Sequence, residues 1–129
     1  MKREVKRWID FANEDLIMAE IALREEIYNQ ACFHSQQCVE KLLKGFIEFQ
    51  GEVHPQTHKL IDLLSVIPKS LLNELRNDIL LLDRFYILTR YPDALPGSLP
   101  EGLPVKVDAE EAIGVAKVLF ERIQEEIEM

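Results

Sequence analysis

The residues best suited to chemistry lie in Leu82-Asp83-Arg84-Phe85-Tyr86-Ile87-Leu88-Thr89-Arg90-Tyr91-Pro92-Asp93. The stretch opens as an apolar helix pattern and closes on Arg90-Tyr91-Pro92-Asp93. Pro92 disfavours the α region for Tyr91, so a helix should stop there. An arginine, a tyrosine and an aspartate then gather at one helix C-terminus. That group suits an anion or a phosphodiester, provided that the arginine faces a cleft. Asp83 and Arg90 are about two turns apart, which puts them on one face of a continuous helix, with Tyr91 just beyond. Asp83, Arg90, Tyr91 and Asp93 are therefore candidate binding residues. Arg90 and Asp93 also have a purely structural reading, because a cation at a helix C-terminus is favourable for the helix alone.

A second group is His34, Gln37, Lys41 and Lys44, at steps of three and four along one helix face. Such a strip either contacts phosphate or is a solvated face. Lys44 reads as solvated; His34 and Lys41 stay open. Gln36 and Glu40 adjoin Phe33 and Leu43, which points to buried or interfacial hydrogen bonds, since a buried charge must be paired. Asp15 borders an apolar stripe in the same way, with Arg84 or Arg90 as its expected partner. His54 and His58 invite a metal reading, but Pro55 intervenes and no cysteine or third histidine is near. They read as a loop histidine and a helix-start histidine. There is no glycine-rich phosphate loop, Gly-x-Ser-x-Gly elbow or Walker motif. The sequence calls for no metal and no cofactor.

The elements that must position these groups are all helical. Trp8, Ala12, Leu16, Ala19 and Leu23 mark an amphipathic helix from about Arg3 to Arg24. A second helix runs from about Asn29 to Gln50 with Ala31, Ser35, Val39, Leu42 and Phe46 near one stripe, and Gly51 stops it. Thr57 is placed to cap a short helix through Leu60, Leu63 and Leu64, ended by Pro68. A fourth helix is expected from Ser70 to Arg90. Its stripe is Leu72, Leu75, Ile79, Leu82 and Tyr86, widened by Leu80, Leu81, Ile87 and Leu88. Asp108 reads as the N-cap of a last helix, with Glu111 completing a capping box. Residues 91–107 carry Pro92, Pro96, Pro100 and Pro104 with Gly97 and Gly102 between them. That segment is a connecting loop, read either as a plain crossover or as a lid.

A chain of 129 residues is expected to form one domain, residues 1–129. Its 15 basic residues against 23 acidic ones give a net charge of -8. That balance argues against a non-specific nucleic-acid coat and against DNA as a partner, while leaving room for a small basic pocket. No signal peptide or membrane span is evident. Cys32 and Cys38 would stand about 9 Å apart along one helix, on different faces, too far for a disulfide. Both read as reduced core thiols, which fits a cytoplasmic protein.

The chain resembles the HEPN domain family. The resemblance rests on Trp8 with Ala12-Asn13-Glu14-Asp15-Leu16 in the first helix. It extends to Ala31-Cys32-Phe33-His34-Ser35-Gln36-Gln37-Cys38-Val39-Glu40-Lys41 with Leu43-Lys44. His58-Lys59-Leu60 and Leu63-Leu64 match the short central segment. Asp83-Arg84-Phe85-Tyr86-Ile87 and Thr89-Arg90-Tyr91-Pro92-Asp93 match the end of the fourth helix. The segments occur in the family's order and span nearly the whole chain. The resemblance implies an all-α, up-and-down bundle of four to five helices, usually a homodimer. It implies nucleotide or RNA binding, and a pairing with a small nucleotidyltransferase in a toxin–antitoxin-like module. The alternative it implies is a metal-independent ribonuclease with Arg90 as the catalytic cation.

Ribonuclease members carry a histidine separated from the arginine by four to six intervening residues. Here those places hold Leu95, Pro96 and Gly97 after Arg90, and Thr89, Arg90 and Tyr91 after Arg84. Cleavage needs a proton acceptor for the 2′-hydroxyl and a cation for the phosphorane. Phenols titrate near 10 and aspartates near 4, so neither Tyr91 nor Asp93 is a ready base at neutral pH. The base would have to be a displaced histidine, His34 or His58, from another helix.

Overall fold

The computed structural model describes residues 2–86, 96–97, 99 and 102–128. Two long helices come first, α1 (Arg3–Arg24) and α2 (Tyr28–Phe49). Each ends in a left-handed residue whose successor reaches back into the last turn. Glu26 has φ 61°, and the Ile27 amide bonds the Ala22 carbonyl at 2.8 Å. Gly51 has φ 85°, and the Glu52 amide bonds the Ile47 carbonyl at 3.1 Å. This closure satisfies carbonyls that a helix end otherwise leaves open. The connection between the two helices is short enough to fold them into a hairpin. At Gly45 a side chain would come within 2.9 Å of Trp8 Cβ, so glycine allows the close approach of α1 and α2.

Helices α3 (Leu60–Leu64) and α4 (Arg76–Leu81) are short, and α5 (Lys106–Glu128) is long. The core is built from Ala12 and Ala19 of α1, Leu42 and Phe46 of α2, Leu60 and Leu63 of α3, Ile79 of α4, and Leu119 and Ile123 of α5. No strand occurs among the described residues; Leu99 and Gly102 form an isolated antiparallel bridge. No helix of the described residues is long and apolar enough to cross a membrane. The fold is an all-α helical bundle.

The region after α3 departs from the sequence expectation. No single helix runs from Ser70. Leu72 is fully buried in the left-handed region at φ 57°, followed by a 3-10 turn at Asn73–Leu75, then α4, then a second 3-10 turn at Leu82–Phe85. Tyr86 is extended at φ -105°, ψ 95°. Tertiary demands override helical propensity here. The Arg76 guanidinium donates to the carbonyls of Leu64, Ile67 and Pro68, which fixes where α4 begins. Asp83 accepts the amides of Leu60 at 2.7 Å and Ile61 at 3.0 Å, while Phe85 is wholly buried. The second 3-10 turn satisfies both.

The cap of α3 thus comes mainly from Asp83, 23 residues downstream of Leu60. Thr57 contributes by accepting the Lys59 amide at 3.1 Å and donating to Asp62. Helix α5 starts at Lys106, inside the expected 91–107 loop. Asp108 is not its N-cap; it sits in the first turn and accepts the Val105 amide at 2.9 Å. The loop's described part is anchored to the start of α2. Asn29 donates to the Pro96 carbonyl at 2.9 Å, and a side chain at Gly97 would strike the Asn29 carbonyl at 1.9 Å.

Burial raises the Asp83 carboxyl above the ordinary carboxylate range; the Leu60 and Ile61 amides pull it back, and Asp62 and Glu40 push it further up. A carboxyl whose folded pKa is raised lends stability that is complete at low pH and is lost as pH rises through its titration. Asp83→Ala removes both amide acceptors and should cost about 1–2 kcal/mol in urea unfolding. The gap to wild type should narrow as pH rises from the ordinary carboxylate range through the raised titration of Asp83. A gap that widens instead would show that the amide bonds outweigh burial.

Candidate functional site

The sequence puts a carboxylate on the inner side of α2, and the structure builds a polar seam around it. Glu40 is only 3% exposed. Its Oε2 accepts Lys44 Nζ at 2.9 Å, one turn further along α2, and His58 Nδ1 at 3.1 Å from the segment entering α3. Its Oε1 lies 3.4 Å from the Gln37 amide nitrogen. That nitrogen also donates to Gln36 Oε1 at 2.6 Å, and Gln36, fully buried, donates to the His58 carbonyl at 3.2 Å. His58 is therefore held at its ring and at its backbone. Its ring stacks on Tyr86 with centroids 5.2 Å apart and planes 29° apart. The Lys44 ammonium lies 5.6 Å from the centre of the Trp8 ring.

A second carboxylate repeats the arrangement elsewhere along α2. Asp15, nearly buried on α1, accepts His34 Nδ1 at 2.8 Å on one oxygen and the Lys41 ammonium on the other. Each buried carboxylate thus binds one histidine and one lysine. Buried carboxylates without such partners would be strongly disfavoured.

The structure brings His34 and Lys41 together on Asp15, and seats Asp83 on the first amides of α3. With both oxygens committed there, Asp83 is a positioning group. The helix on which Asp83 and Arg90 were to share a face ends at Phe85. Arg90, Tyr91 and Asp93 lie outside the described residues. Arg84 is not the partner of Asp15; it approaches Asp108 at 3.8 Å and lies over the Phe85 ring. Lys44 is not on a solvated face; it is 8% exposed and inside the seam. Its spacing of four from Glu40 was the available signal. The pairing of His58 with Tyr86 left no trace in the sequence. Cys32 and Cys38 are free and buried; burial, with Asp108 adding and Arg84 opposing, pushes the Cys32 thiol up to about 12. Burial raises the Cys38 thiol as well, with Asp15 adding and Lys41 opposing.

Two apolar depressions flank the seam's scaffold. A groove of about 390 Å³ between α4 and α5 is lined by Leu75, Leu81, Leu82, Val115 and Val118, with Arg84 at its edge. A smaller one of about 170 Å³, between α1 and α2, has Met18, Ile21 and Ile27 as walls and His34 at its rim.

Residues 5–127 match the HEPN domain family. The chain is similar to "Putative toxin MJ1304" of Methanocaldococcus jannaschii, 30% identical over 93% of this chain and 86% of that protein. Among solved structures it is similar to ST0689, an archaeal HEPN homologue, at 35% identity and TM-score 0.77, covering 98% of this chain and 99% of that one. It is similar also to TT1696 from Thermus thermophilus, at 31% identity and TM-score 0.78, covering 96% of this chain and 98% of that one.

Removing Lys44 leaves Glu40 buried with only polar and imidazole partners. Lys44→Ala should cost about 3–5 kcal/mol of unfolding free energy, measured in urea. Replacing Glu40 and Lys44 together by leucine should cost far less than the single change. A loss under about 1 kcal/mol for Lys44→Ala would mean that the pair is solvated rather than buried.

Proposed function

Since the chain belongs to the HEPN domain family, we propose that it is a toxin-type HEPN protein that binds RNA or a nucleotide as a homodimer. In this reading it works with a small nucleotidyltransferase partner. The relative named as a toxin supports the toxin-type role. One observation carries the ligand reading: the seam along α2 ends in an imidazole held open to solvent and stacked on Tyr86. Aromatic and imidazole faces are what single-stranded bases stack upon. In sequence, Tyr86 leads directly into the segment with Arg90, Tyr91 and Asp93, to which this reading assigns phosphate contact. Lys41 and His34 join it only through the N–H groups that Asp15 leaves free. With a net charge of -8, any such contact must be local. The apolar groove between α4 and α5, with Leu81 59% and Val118 50% exposed, supports a second subunit there.

A second reading, metal-independent RNA cleavage, is favoured by one specific feature. The expected histidine after Arg90 is missing, yet two other histidines are each oriented by a carboxylate.

The test of binding is a fluorescence titration of short single-stranded RNAs and of adenine nucleotides against wild type and Arg90→Ala. The variant should bind about tenfold more weakly or worse, equivalent to losing a charge-assisted hydrogen bond of about 1.5–3 kcal/mol. Equal affinities would remove Arg90 from the site. Light scattering at micromolar concentration should return twice the mass of the 15.0 kDa chain, and Val118→Asp should shift it toward one chain. A monomeric wild type would sink the dimer reading.

A further inference from the structure

We infer that the outward face of α1 docks, antiparallel, on the same face of a second copy of this chain, a contact separate from the α4–α5 groove. Helix α1 carries two stripes. The inner one, with Ala12, Asp15, Ala19 and Ala22, is buried against the rest of the bundle. The outer one is Arg7, Phe11, Glu14, Met18, Ile21 and Glu25, at alternating steps of four and three. That is the spacing of the a and d positions of a coiled coil, a pattern that serves a second helix along its length. A surface helix with one core to face needs only one apolar stripe. Yet Phe11, Met18 and Ile21 are each at least 40% exposed, and Arg7, Glu14 and Glu25 are exposed with them.

Charge selects the occupant. In a contact between two identical faces, residue i meets residue j and j meets i. Let two copies of α1 run antiparallel about an axis level with Leu16. Arg7 then faces Glu25 of the second copy, Phe11 faces Ile21, and Glu14 faces Met18, each pairing occurring twice. A parallel copy would set Arg7 on Arg7 and Glu25 on Glu25, so complementarity favours the antiparallel one. The end charges are available for it. Lys6 and Glu20, off the outer stripe, pair with Asp10 and Lys117, whereas no described residue pairs with Arg7 or Glu25.

Shape agrees with charge. Ile21, together with Met18 and Ile27, walls a depression of about 170 Å³ between α1 and α2. The antiparallel register brings Phe11 of one copy to that depression on the other, an aromatic knob to an apolar hole. The stripe spans about 27 Å of helix. Glu14 interrupts it, and the two Glu14 carboxylates stand about one turn apart across the axis, where they repel. The contact is therefore weak, and it joins copies above the micromolar range in which the α4–α5 groove is assigned to act.

The test uses the full chain. Arg7→Cys and Glu25→Cys are prepared separately and treated with a short bis-maleimide, alone and mixed; Cys32 and Cys38 are buried and do not compete. The mixture should give a two-chain product, in excess of either variant alone and of Arg7→Cys mixed with Asn13→Cys, which lies off the stripe. A product from Arg7→Cys alone that matches the mixture would mean a parallel contact, and a mixture no better than the Asn13→Cys control would mean none; either overturns the inference. Sedimentation from micromolar to millimolar protein is the second readout, with circular dichroism to check that each variant folds. Arg7→Glu or Glu25→Arg should weaken association about tenfold, because two attractive pairs become repulsive, and the two changes in one chain should restore it. Glu14→Leu should tighten association about tenfold. A double swap that stays weak, or a Glu14→Leu chain that associates no better, overturns the register. Val118→Asp, on the other face, should leave the cross-link unchanged; its loss would assign the contact to the α4–α5 groove and overturn the role of α1.

Discussion

A carboxylate buried among leucines is the constraint on which this structure turns. Glu40 faces inward on α2 between the core residues Val39 and Leu43. Removing a carboxylate from water costs several kcal/mol even after the protein relaxes, so its lone pairs must be met almost completely. Lys44 and Gln37 come from the same helix; His58 has to come from elsewhere. Bringing His58 in sets the position of the chain that enters α3. Lys44 in turn lies against Trp8, beside the close contact that Gly45 permits, so the same charge pair sets how α1 meets α2.

The constraint passes on through α3. Its first amides have no acceptor within the helix, and Asp83 supplies one to each of Leu60 and Ile61. That draws the second 3-10 turn onto α3, brings Phe85 into the core and leaves Tyr86 against His58. The contacts therefore form a closed circuit from Glu40 through His58, α3, Asp83 and Tyr86 back to His58. An apolar seam of equal volume would serve stability as well or better. What the polar seam adds is register: the buried carboxylate fixes where its donors must sit, and the histidine ring takes one orientation.

The long helices and the short α3 were legible in the sequence, and the breaks on either side of α4 were not. Trp8, Ala12, Leu16 and Ala19 repeat over enough turns to define α1, and Gly51 marks the end of α2 by a local rule. The stretch from Ser70 to Phe85 carries apolar residues on several sides, so periodicity could not say where it bends. Its bends are set by Arg76 on the end of α3 and Asp83 on its start, contacts that have no local signature. Gln36 and Glu40 were legible as a buried polar pair because they sat among apolar neighbours. Lys44 was misread because a lysine on a helix is usually solvated, although its spacing from Glu40 already offered the alternative. Asp15 showed its need for a partner and not the partner's identity, since Lys41 and His34 belong to another helix.

The seam's charges also decide what kind of recognition it supports. Lys41 and Lys44 look basic in sequence, but each is spent on a buried carboxylate, so neither offers a free positive charge to a polyanion. Attraction by net field is equally absent in a chain with 23 acidic and 15 basic residues. In the RNA-binding reading proposed above, recognition at His58 and Tyr86 rests on ring stacking and directed hydrogen bonds, with phosphate attraction left to arginine. That division suits a single-stranded, splayed nucleic acid better than a duplex, whose bases are already stacked and whose backbone is bound chiefly through charge.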